Sequence, residues 1–433
     1  MKAAVIGTGY VGLATIASLG ELGHRIIGVD MDDVKIKQLA NGKLPIYEPD
    51  MEPAIQTLLN QGALHFTTSI QQAVEEARVL FITVGTPPLS DGRPNMNYVE
   101  DVAVEIGRHM KKPRIVVNKS TVPVGSADRV KILITNEIKR RGKSIAFDVV
   151  SNPEFLQEGK ALLSARKPER IVLGCSSPEA AKIMLELYKK IESPKLITSP
   201  RDAEMIKYAS NGFLATKISF INEIARLCDH LAVDVTEVAR GIGADERIGA
   251  QFLQAGIGYG GSCFPKDTSA LVMMGREFNL EMPLLRNVQE VNRTQTEWFM
   301  EKIKHELGTL DRKRIALLGL AFKPETDDIR EAPSLKLHRL LVEAGAIVNG
   351  FDPAARDQIK KLSLRMNLTD DAYQAVENAD AVIICTEWKE FMALDWRKVK
   401  KLMKGDSVFD GRNVLDRKTM KLEGFRYYGV GRK

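Results

Sequence analysis

Cys263 closes the run Gly258-Tyr259-Gly260-Gly261-Ser262-Cys263 and is followed at once by Phe264-Pro265-Lys266-Asp267. The glycines give a backbone that can take positive φ and let a ligand approach closely. Pro265 suits the first turn of a helix, so the thiol is expected at a helix N-terminus with Lys266 beside it. That setting favours the thiolate, which is how a nucleophilic cysteine is prepared. The plainer alternative is a glycine-rich turn around a buried, inert cysteine. Only the rest of the chain separates the two.

Other residues of useful type stand at the ends of expected strands. Val79 to Val84 leads into Gly85-Thr86-Pro87-Pro88, and Arg114 to Val117 leads towards Lys119-Ser120-Thr121-Val122-Pro123. Open parallel sheets bind ligands at such carboxyl ends, although each segment could be only a capped loop. Val149-Val150-Ser151 runs into Asn152-Pro153-Glu154-Phe155-Leu156-Gln157-Glu158-Gly159. Glu154 and Glu158 are four apart, so a helix there would set both carboxylates on one face. A solvated face is the alternative. Lys207 and Asn211 share the same spacing in a helical stretch, where a lysine is usually just solvated. Arg247 and Phe252-Leu253-Gln254-Ala255-Gly256 precede the Cys263 loop, and Lys323 and Arg330 bring cations further on.

The elements that must position these groups begin at the N-terminus. Ala3 to Ile6 is a short apolar run, followed by Gly7-Thr8-Gly9-Tyr10-Val11-Gly12 and a helical stretch from Leu13 to Leu22. This is G-x-G-x-x-G in its strand–turn–helix context. Gly7 permits the tight turn, Gly9 lets a pyrophosphate approach, and Gly12 allows close helix packing. A second strand, Arg25 to Val29, ends in Asp30, placed for a ribose 2′-hydroxyl. No arginine follows at Met31-Asp32-Asp33, where a 2′-phosphate would want one, so the pattern predicts NAD.

Ser199-Pro200-Arg201-Asp202 reads as an N-cap, an N1 proline and an acid at N3. A breaker-poor run continues to about Leu231, roughly 45 Å of helix, expected to bridge two domains and to carry a dimer contact. A second long helix is expected from Leu284 to about Leu307. The tail then repeats the head: Glu21 to Asp30 is echoed by Glu343 to Asp352, Lys2 to Gly7 by Arg314 to Gly319, and Val79 to Val84 by Ala381 to Thr386. The expected fold class is α/β, with two Rossmann-like doubly wound domains joined by a long central helix and a helical dimerisation region. The expected domains are 1–198, 199–300 and 310–433. In the second copy the first strand-to-helix connection lacks G-x-G-x-x-G and is longer, carrying Lys323-Pro324-Glu325-Thr326-Asp327-Asp328-Ile329-Arg330. That predicts a different anionic ligand, with a purely structural domain as the alternative.

A chain of 433 residues has room for two or three domains. Its net charge of +6 is scattered, which favours anionic small ligands and argues against nucleic acid. The four cysteines lie far apart without C-x-x-C, and the six histidines lack metal-site spacing, so no disulfide framework and no catalytic metal are expected. No apolar run reaches transmembrane length, and a strand by Ala3 leaves no room for a signal peptide, so a cytoplasmic protein is expected.

Taken in order, Gly7-Thr8-Gly9-Tyr10-Val11-Gly12, Val84 to Pro87, Ser120 to Gly125, Asn152 to Gly159, the Lys207/Asn211 helix, Tyr259 to Asp267 and Gly319 to Arg330 form a series. Along essentially its whole length the chain resembles the nucleotide-sugar dehydrogenases, most closely the bacterial type that acts on UDP-glucose. The resemblance implies an NAD domain, a central helix with a dimerisation region, and a C-terminal domain for the UDP part. It implies a homodimer through the central helix, with no nucleic acid and no membrane as partner. It also implies the chemistry: four electrons leave C6, two NAD are reduced, and Cys263 carries a thiohemiacetal and then a thioester.

By match to that family, Asp267 and Lys207 handle the proton and oxyanion near C6, Thr121 helps to order a water, and Glu154 is the general base. Asn211 stands with them. Gly7, Gly9, Tyr10, Val11, Gly12, Asp30, Lys35, Thr86, Thr121, Glu158, Lys266 and Arg330 map to NAD contacts. Glu154, Phe155, Leu156, Lys207, Asn211, Arg247, Phe252 to Gly256 (with Leu253, Gln254 and Ala255), Gly260 and Lys323 map to substrate contacts. Gln157 stands where arginine is commoner. GDP-mannose dehydrogenases are close in the cysteine loop, usually with leucine after the cysteine. The N-acetylhexosamine enzymes typically have histidine before it, where this chain has Ser262. A non-catalytic NAD and sugar-nucleotide sensor is the reading of another class, and it has no need of Cys263, Lys207 and Asp267 together.

Overall fold

The computed structural model describes residues 1–432, in two compact units, Met1–Ser210 and Asn211–Lys433. In the first unit β1 (Lys2–Ile6), β2 (Arg25–Val29), β3 (Leu64–Thr67), β4 (Val79–Ile82), β5 (Arg114–Asn118), β6 (Phe147–Ser151), β7 (Ile171–Gly174) and β8 (Lys195–Thr198) form one sheet. Their order is 3-2-1-4-5-6-7-8, parallel throughout except between β6 and β7. The order reverses at β1, so the carboxyl ends of β1 and β4 open a crevice at the switch point. Alternate residues of β1 feed different cores. Ala3 and Val5 join one apolar cluster, and Ala4 and Ile6 join another. Burial on both faces is why these strands read as continuous apolar runs rather than as alternating ones.

The second unit repeats the plan. β9 (Arg314–Leu318), β10 (Ile347–Phe351), β11 (Asn367–Leu368), β12 (Ala381–Ile384), β13 (Ser407–Asp410) and β14 (Arg426–Gly429) lie in the order 11-10-9-12-13-14. Ile315 and Leu317 feed one core, Ala316 and Leu318 the other. The head-to-tail repeat extends to hydrogen bonds: Gly7 N–H donates to Val29 O and Gly319 N–H to Phe351 O, each at 2.8 Å. Both glycines have positive φ, 104° and 88°. The acids that end the second strands differ in use. Asp352 accepts four backbone N–H groups, from Leu320, Ala321, Ala354 and Ala355.

The predicted long helix runs from Pro200 to Leu231, and the boundary between the units falls inside it. It starts as its sequence requires. Ser199 Oγ accepts from Asp202 N–H at 3.2 Å and donates to the Asp202 carboxylate at 2.8 Å. The second long helix spans Pro283–Leu307. Among the described residues no helix is long and apolar enough to cross a membrane.

Candidate active site

In the first unit the turn after β1 delivers Gly9 to the N-cap of the helix Tyr10–Glu21. A Cβ on Gly12 would stand 1.9 Å from Gly7 O, and one on Gly7 would press on the Thr83 backbone at 2.8 Å. A Cβ on Gly9 would meet nothing within 4 Å. The two ends of the motif therefore serve packing, while the middle glycine faces open space above a helix N-terminus. Tyr10 and Val11 form that helix's first turn.

Asp30 stands at the end of β2, accepting from Thr8 N–H at 3.0 Å, Thr8 Oγ at 2.7 Å and Lys35 Nζ at 2.7 Å. Burial works to raise its pKa, but Lys35 and Thr8 together hold it below the ordinary aspartate value. The carboxylate is thus ionised at the switch point. Thr86 and Thr121 meet there as well, Thr86 Oγ donating to Thr121 O at 2.9 Å.

Behind β6 the chain departs from the helical expectation for Glu154 and Glu158. Residues 152–157 form neither helix nor strand. Pro153 keeps Asn152 out of the helical region, Glu154 accepts its own Leu156 N–H at 2.5 Å, and Gly159 has φ 78°. Glu48 closes the loop by accepting Gly159 N–H at 2.8 Å and Ala161 N–H at 2.6 Å. Glu158 is half-buried in this loop, off any helix face shared with Glu154.

Glu154 is itself buried and ion-paired to Lys207 at 2.9 Å, with side-chain exposures of 6% and 4%. Burial tends to raise the Glu154 pKa. Lys207, the Leu156 N–H and Lys119 overcome it and hold the group below the usual carboxylate range. Lys207 is therefore not a solvated helix lysine. Phe155 is half-buried, with the Arg170 guanidinium 4.1 Å and Lys207 Nζ 5.4 Å from its ring centre. Leu156 is also half-buried. One turn before Lys207, Glu204 accepts Gly125 N–H at 2.6 Å, Ala127 N–H at 2.9 Å and Ser151 Oγ at 2.8 Å. It caps the helix Ser126–Arg140 from outside.

In the second unit Cys263 is the N-cap of the helix Phe264–Glu277, half-exposed, with Pro265 in the first turn as expected. Ser262 Oγ lies 3.6 Å from Cys263 Sγ. One turn in, Asp267 is fully buried between Asn211 Nδ2 at 2.6 Å and Lys266 Nζ at 2.5 Å. The glycines of the loop are spatial necessities. A Cβ on Gly260 would sit 2.2 Å from Glu331 O, and one on Gly261 would meet the Phe322 ring at 2.7 Å. Gly261 N–H donates to Arg330 O at 2.9 Å, so the loop lies against the segment that carries Lys323 and Arg330. Lys323 Nζ lies 5.3 Å from the Phe322 ring centre, and Arg330 is ion-paired to Asp328 at 2.6 Å.

Phe252, at φ 64°, and Tyr259 pack edge-on against Phe264. Leu253 and Ala255 are buried, Gln254 is exposed, and Gly256 is held by Asn222 Oδ1 and Gln295 Nε2, each at 2.8 Å. Arg247 does not join the cluster. It is exposed and ion-paired to Asp245.

Several residues that shape the site had escaped sequence reasoning. Asn292 clamps Tyr259 by its N–H at 2.8 Å and its carbonyl at 3.0 Å, and Thr296 donates to Ile257 O at 3.0 Å. Arg412 donates to the carbonyls of Gly258, Phe322 and Cys385. A run of polar residues at helical spacing, Asn292, Gln295 and Thr296, on the inner face of a long helix was the available signal. Arg412 offered none. Lys119 Nζ donates to Asn152 Oδ1 at 3.3 Å.

Comparison with known proteins agrees along the whole chain. Residues 1–192 match the sequence model described as "UDP-glucose/GDP-mannose dehydrogenase family, NAD binding domain". Residues 201–294 match that family's central domain, and residues 316–417 its UDP binding domain. A UDP-glucose 6-dehydrogenase of Bacillus subtilis is 43% identical, over 100% of this chain and 98% of that relative. Among solved structures, a UDP-glucose dehydrogenase from the hyperthermophilic archaeon Pyrobaculum islandicum aligns with a TM-score of 0.92 at 38% identity, covering 100% of this chain and 98% of that one. A UDP-D-ManNAc dehydrogenase from Pyrococcus horikoshii aligns with a TM-score of 0.87 at 27% identity, covering 100% and 99%.

Proposed function

The chain belongs to the UDP-glucose/GDP-mannose dehydrogenase family, and we propose that it oxidises UDP-glucose to UDP-glucuronate with Cys263 as the covalent anchor. It is an NAD-dependent oxidoreductase. NAD, when bound, accepts a hydride in each of the two oxidations. The first unit fits that cofactor: open space over Gly9 at a helix N-terminus suits a pyrophosphate, and the ionised Asp30 suits a ribose hydroxyl.

This chain's own residues do the rest in the proposal. As C6 loses its first hydride, Asp267 and Lys207 handle the hydroxyl proton and the oxyanion in this proposal, and an aldehyde forms. Cys263 adds to it, and its helix N-terminus steadies the thiolate that attacks. Loss of the second hydride from the thiohemiacetal leaves a thioester. Water, ordered with help from Thr121, gives a proton to Glu154 and displaces the sulfur, releasing the acid and restoring the thiol. Glu154 is suited to this because its ion pair keeps it deprotonated.

The observation that carries the reading is the half-exposed Cys263 at a helix N-cap, one turn from the buried Asp267 held by Asn211 and Lys266. UDP-glucose is preferred over other sugar nucleotides because relatives that carry that name match the chain end to end. In this reading residues 1–198 serve NAD, 310–433 the UDP part, and 199–300 a homodimer contact, with the enzyme acting in the cytoplasm. Phe213, Phe220 and Leu227 support the dimer: they are seven apart on one face of the long helix and 66%, 48% and 53% exposed.

The test is intact-protein mass spectrometry of Cys263→Ser incubated with UDP-glucose and NAD. An ester hydrolyses less readily than a thioester, so the variant should stall with substrate bound covalently to the new serine. Cys263→Ala should stop at the aldehyde or its hydrate. Near wild-type turnover by Cys263→Ala would show the thiol to be structural.

A further inference from the structure

Cys263 ends a stretch without regular structure: residues 253–263 form neither helix nor strand. Such a stretch keeps one shape only where its backbone groups find partners. Side chains of one helix, Pro283–Leu307, meet it in series. Gln295 Nε2 donates to Gly256 O at 2.8 Å, Thr296 Oγ donates to Ile257 O at 3.0 Å, and Asn292 reaches Tyr259.

Asn292 differs from the other two in taking both groups of a single residue. Its Oδ1 accepts Tyr259 N–H at 2.8 Å, and its Nδ2 donates to Tyr259 O at 3.0 Å. A carboxamide carries the donor and acceptor of a peptide group, so it makes the pair of bonds that a facing strand residue would make. One bond lets a loop residue swivel about it, whereas two fix its orientation. The approach also demands glycine one position earlier. Gly258 has φ 111°, and a Cβ there would stand 3.0 Å from Asn292 Oδ1. Gly261, nearer the thiol, is tied at one point, N–H to Arg330 O at 2.9 Å.

The same helix grips the far side of the thiol. Gln289, one turn before Asn292, donates to Ser269 Oγ at 3.0 Å and to Thr268 Oγ at 3.4 Å, on the helix that Cys263 caps. The buried Tyr259 ring packs edge-on to Phe264, with centroids 5.8 Å apart. Cys263 thus sits between two anchors on one helix, four residues after Tyr259 and five before Thr268.

The two oxidations ask different things of this loop. Loss of the first hydride from C6 needs no sulfur. Addition of Cys263 to the aldehyde needs the reacting atoms about 3–3.5 Å apart and aligned, and the second hydride leaves only from that adduct. We propose that Asn292 is a positioning residue for the sulfur step: by fixing Tyr259 at two points it sets the reach of Cys263 to the aldehyde carbon, and so couples the second oxidation to the first. The inference rests on the reading of Cys263 as the covalent anchor. It assigns Asn292 no contact with substrate or NAD.

The experiment compares wild type, Asn292→Leu and Asn292→Asp with UDP-glucose and NAD, in rapid mixing and at steady state, with semicarbazide present to trap free aldehyde. Asn292→Leu keeps the size of the side chain and removes both bonds. Asn292→Asp keeps the acceptor and sets a carboxylate against Tyr259 O. Wild type should form two NADH per glucuronate. In Asn292→Leu the first NADH should form at near the wild-type rate, while the second NADH and glucuronate release slow by roughly tenfold to a hundredfold. NADH should then exceed two per glucuronate, the missing sugar appearing as aldehyde or its semicarbazone by mass spectrometry. Asn292→Asp should show the same split.

Wild-type glucuronate release by Asn292→Leu, or both oxidations slowed alike with two NADH per glucuronate, would make Asn292 structural and overturn the proposal. If Asn292→Leu does not fold, Asn292→Asp decides by the same split. Cys263→Ala, assayed alongside, separates the two readings. Glucuronate formed by Cys263→Ala at the wild-type rate would remove the sulfur from the chemistry. Aldehyde alone from Cys263→Ala, with both oxidations intact in Asn292→Leu, would overturn this inference alone.

Discussion

Replacing Lys207 by methionine should destabilise the first unit, by an amount that depends on pH in a sign opposite to the usual carboxylate effect. The Lys207 and Glu154 side chains are 4% and 6% exposed and 2.9 Å apart. Removing one partner of such a pair leaves an uncompensated buried charge, at about 3–5 kcal/mol. The Lys119 charge remains near Glu154, which places the expected loss at the low end, about 3 kcal/mol. For a unit of this size each kcal/mol moves Tm by about 2–4 °C, so the fall should be about 6–12 °C. Exposed pairs such as Arg293–Glu290 are screened by water and contribute little, so they serve as controls.

The sign follows from proton linkage. In wild type the folded-state pKa of Glu154 is depressed. Its stabilisation is therefore present above the ordinary glutamate pKa and is lost as pH falls through the depressed one. Without Lys207, burial dominates and the folded pKa rises above the unfolded value. The native state then binds the extra proton, and stability falls as pH rises through that interval. The deficit should be larger at pH 8 than at pH 5.5. Thermal unfolding of the protein without NAD or substrate, followed by calorimetry at both pH values, measures it. Lys207→Met/Glu154→Gln removes both charges and should recover most of the loss. Equal Tm values for the single and double variants, or a deficit independent of pH, would refute the argument.

Three further outcomes are expected. NADP should be used at least roughly a hundredfold less efficiently than NAD, because the ionised Asp30 would face a 2′-phosphate and such like-charge contacts cost several kcal/mol; equal kcat/KM would sink this. Lys323→Ala should raise KM for UDP-glucose by roughly tenfold, the scale of one hydrogen bond to a charged group, with NAD affinity unchanged in calorimetric titration. Phe220→Glu should turn a dimer into monomers by light scattering, since Phe220 lies mid-row on the apolar face of the long helix; a variant that stays dimeric places the seam elsewhere.

Much of the fold was legible because it is written locally. The apolar run before Gly7, the acid after Val29 and the Ser199-Pro200-Arg201-Asp202 start each act within a few residues, and each appears where expected. The repeat of the head in the tail was equally visible, down to Asp30 and Asp352. What could not be read is the use of those acids. Asp352 is consumed by four backbone N–H groups. Asp30 is held by Thr8 and Lys35, with Asp32 N–H at 3.3 Å. The i, i+4 spacing of Glu154 and Glu158 misled because Pro153 and a carboxylate-to-backbone bond compete with the helix. Glu204 and Arg412 were invisible for another reason. Their partners lie 27 to 154 residues away in sequence, and no local pattern encodes a contact at that range.

The start of the long helix also decides where this chain can be cut. A fragment ending at Thr198 would contain all eight strands of the first sheet, yet it would lack Glu204 and Lys207. The amides of Gly125 and Ala127 and the hydroxyl of Ser151 would lose their acceptor, and Glu154 would lose its ion-pair partner. A nascent chain meets the same condition at the ribosome. The first sheet is complete on paper once β8 emerges, but its polar interior closes only after residue 207 has cleared the exit tunnel. Truncated chains and stalled-chain folding experiments should therefore place the end point beyond Ser210, where the first compact unit ends.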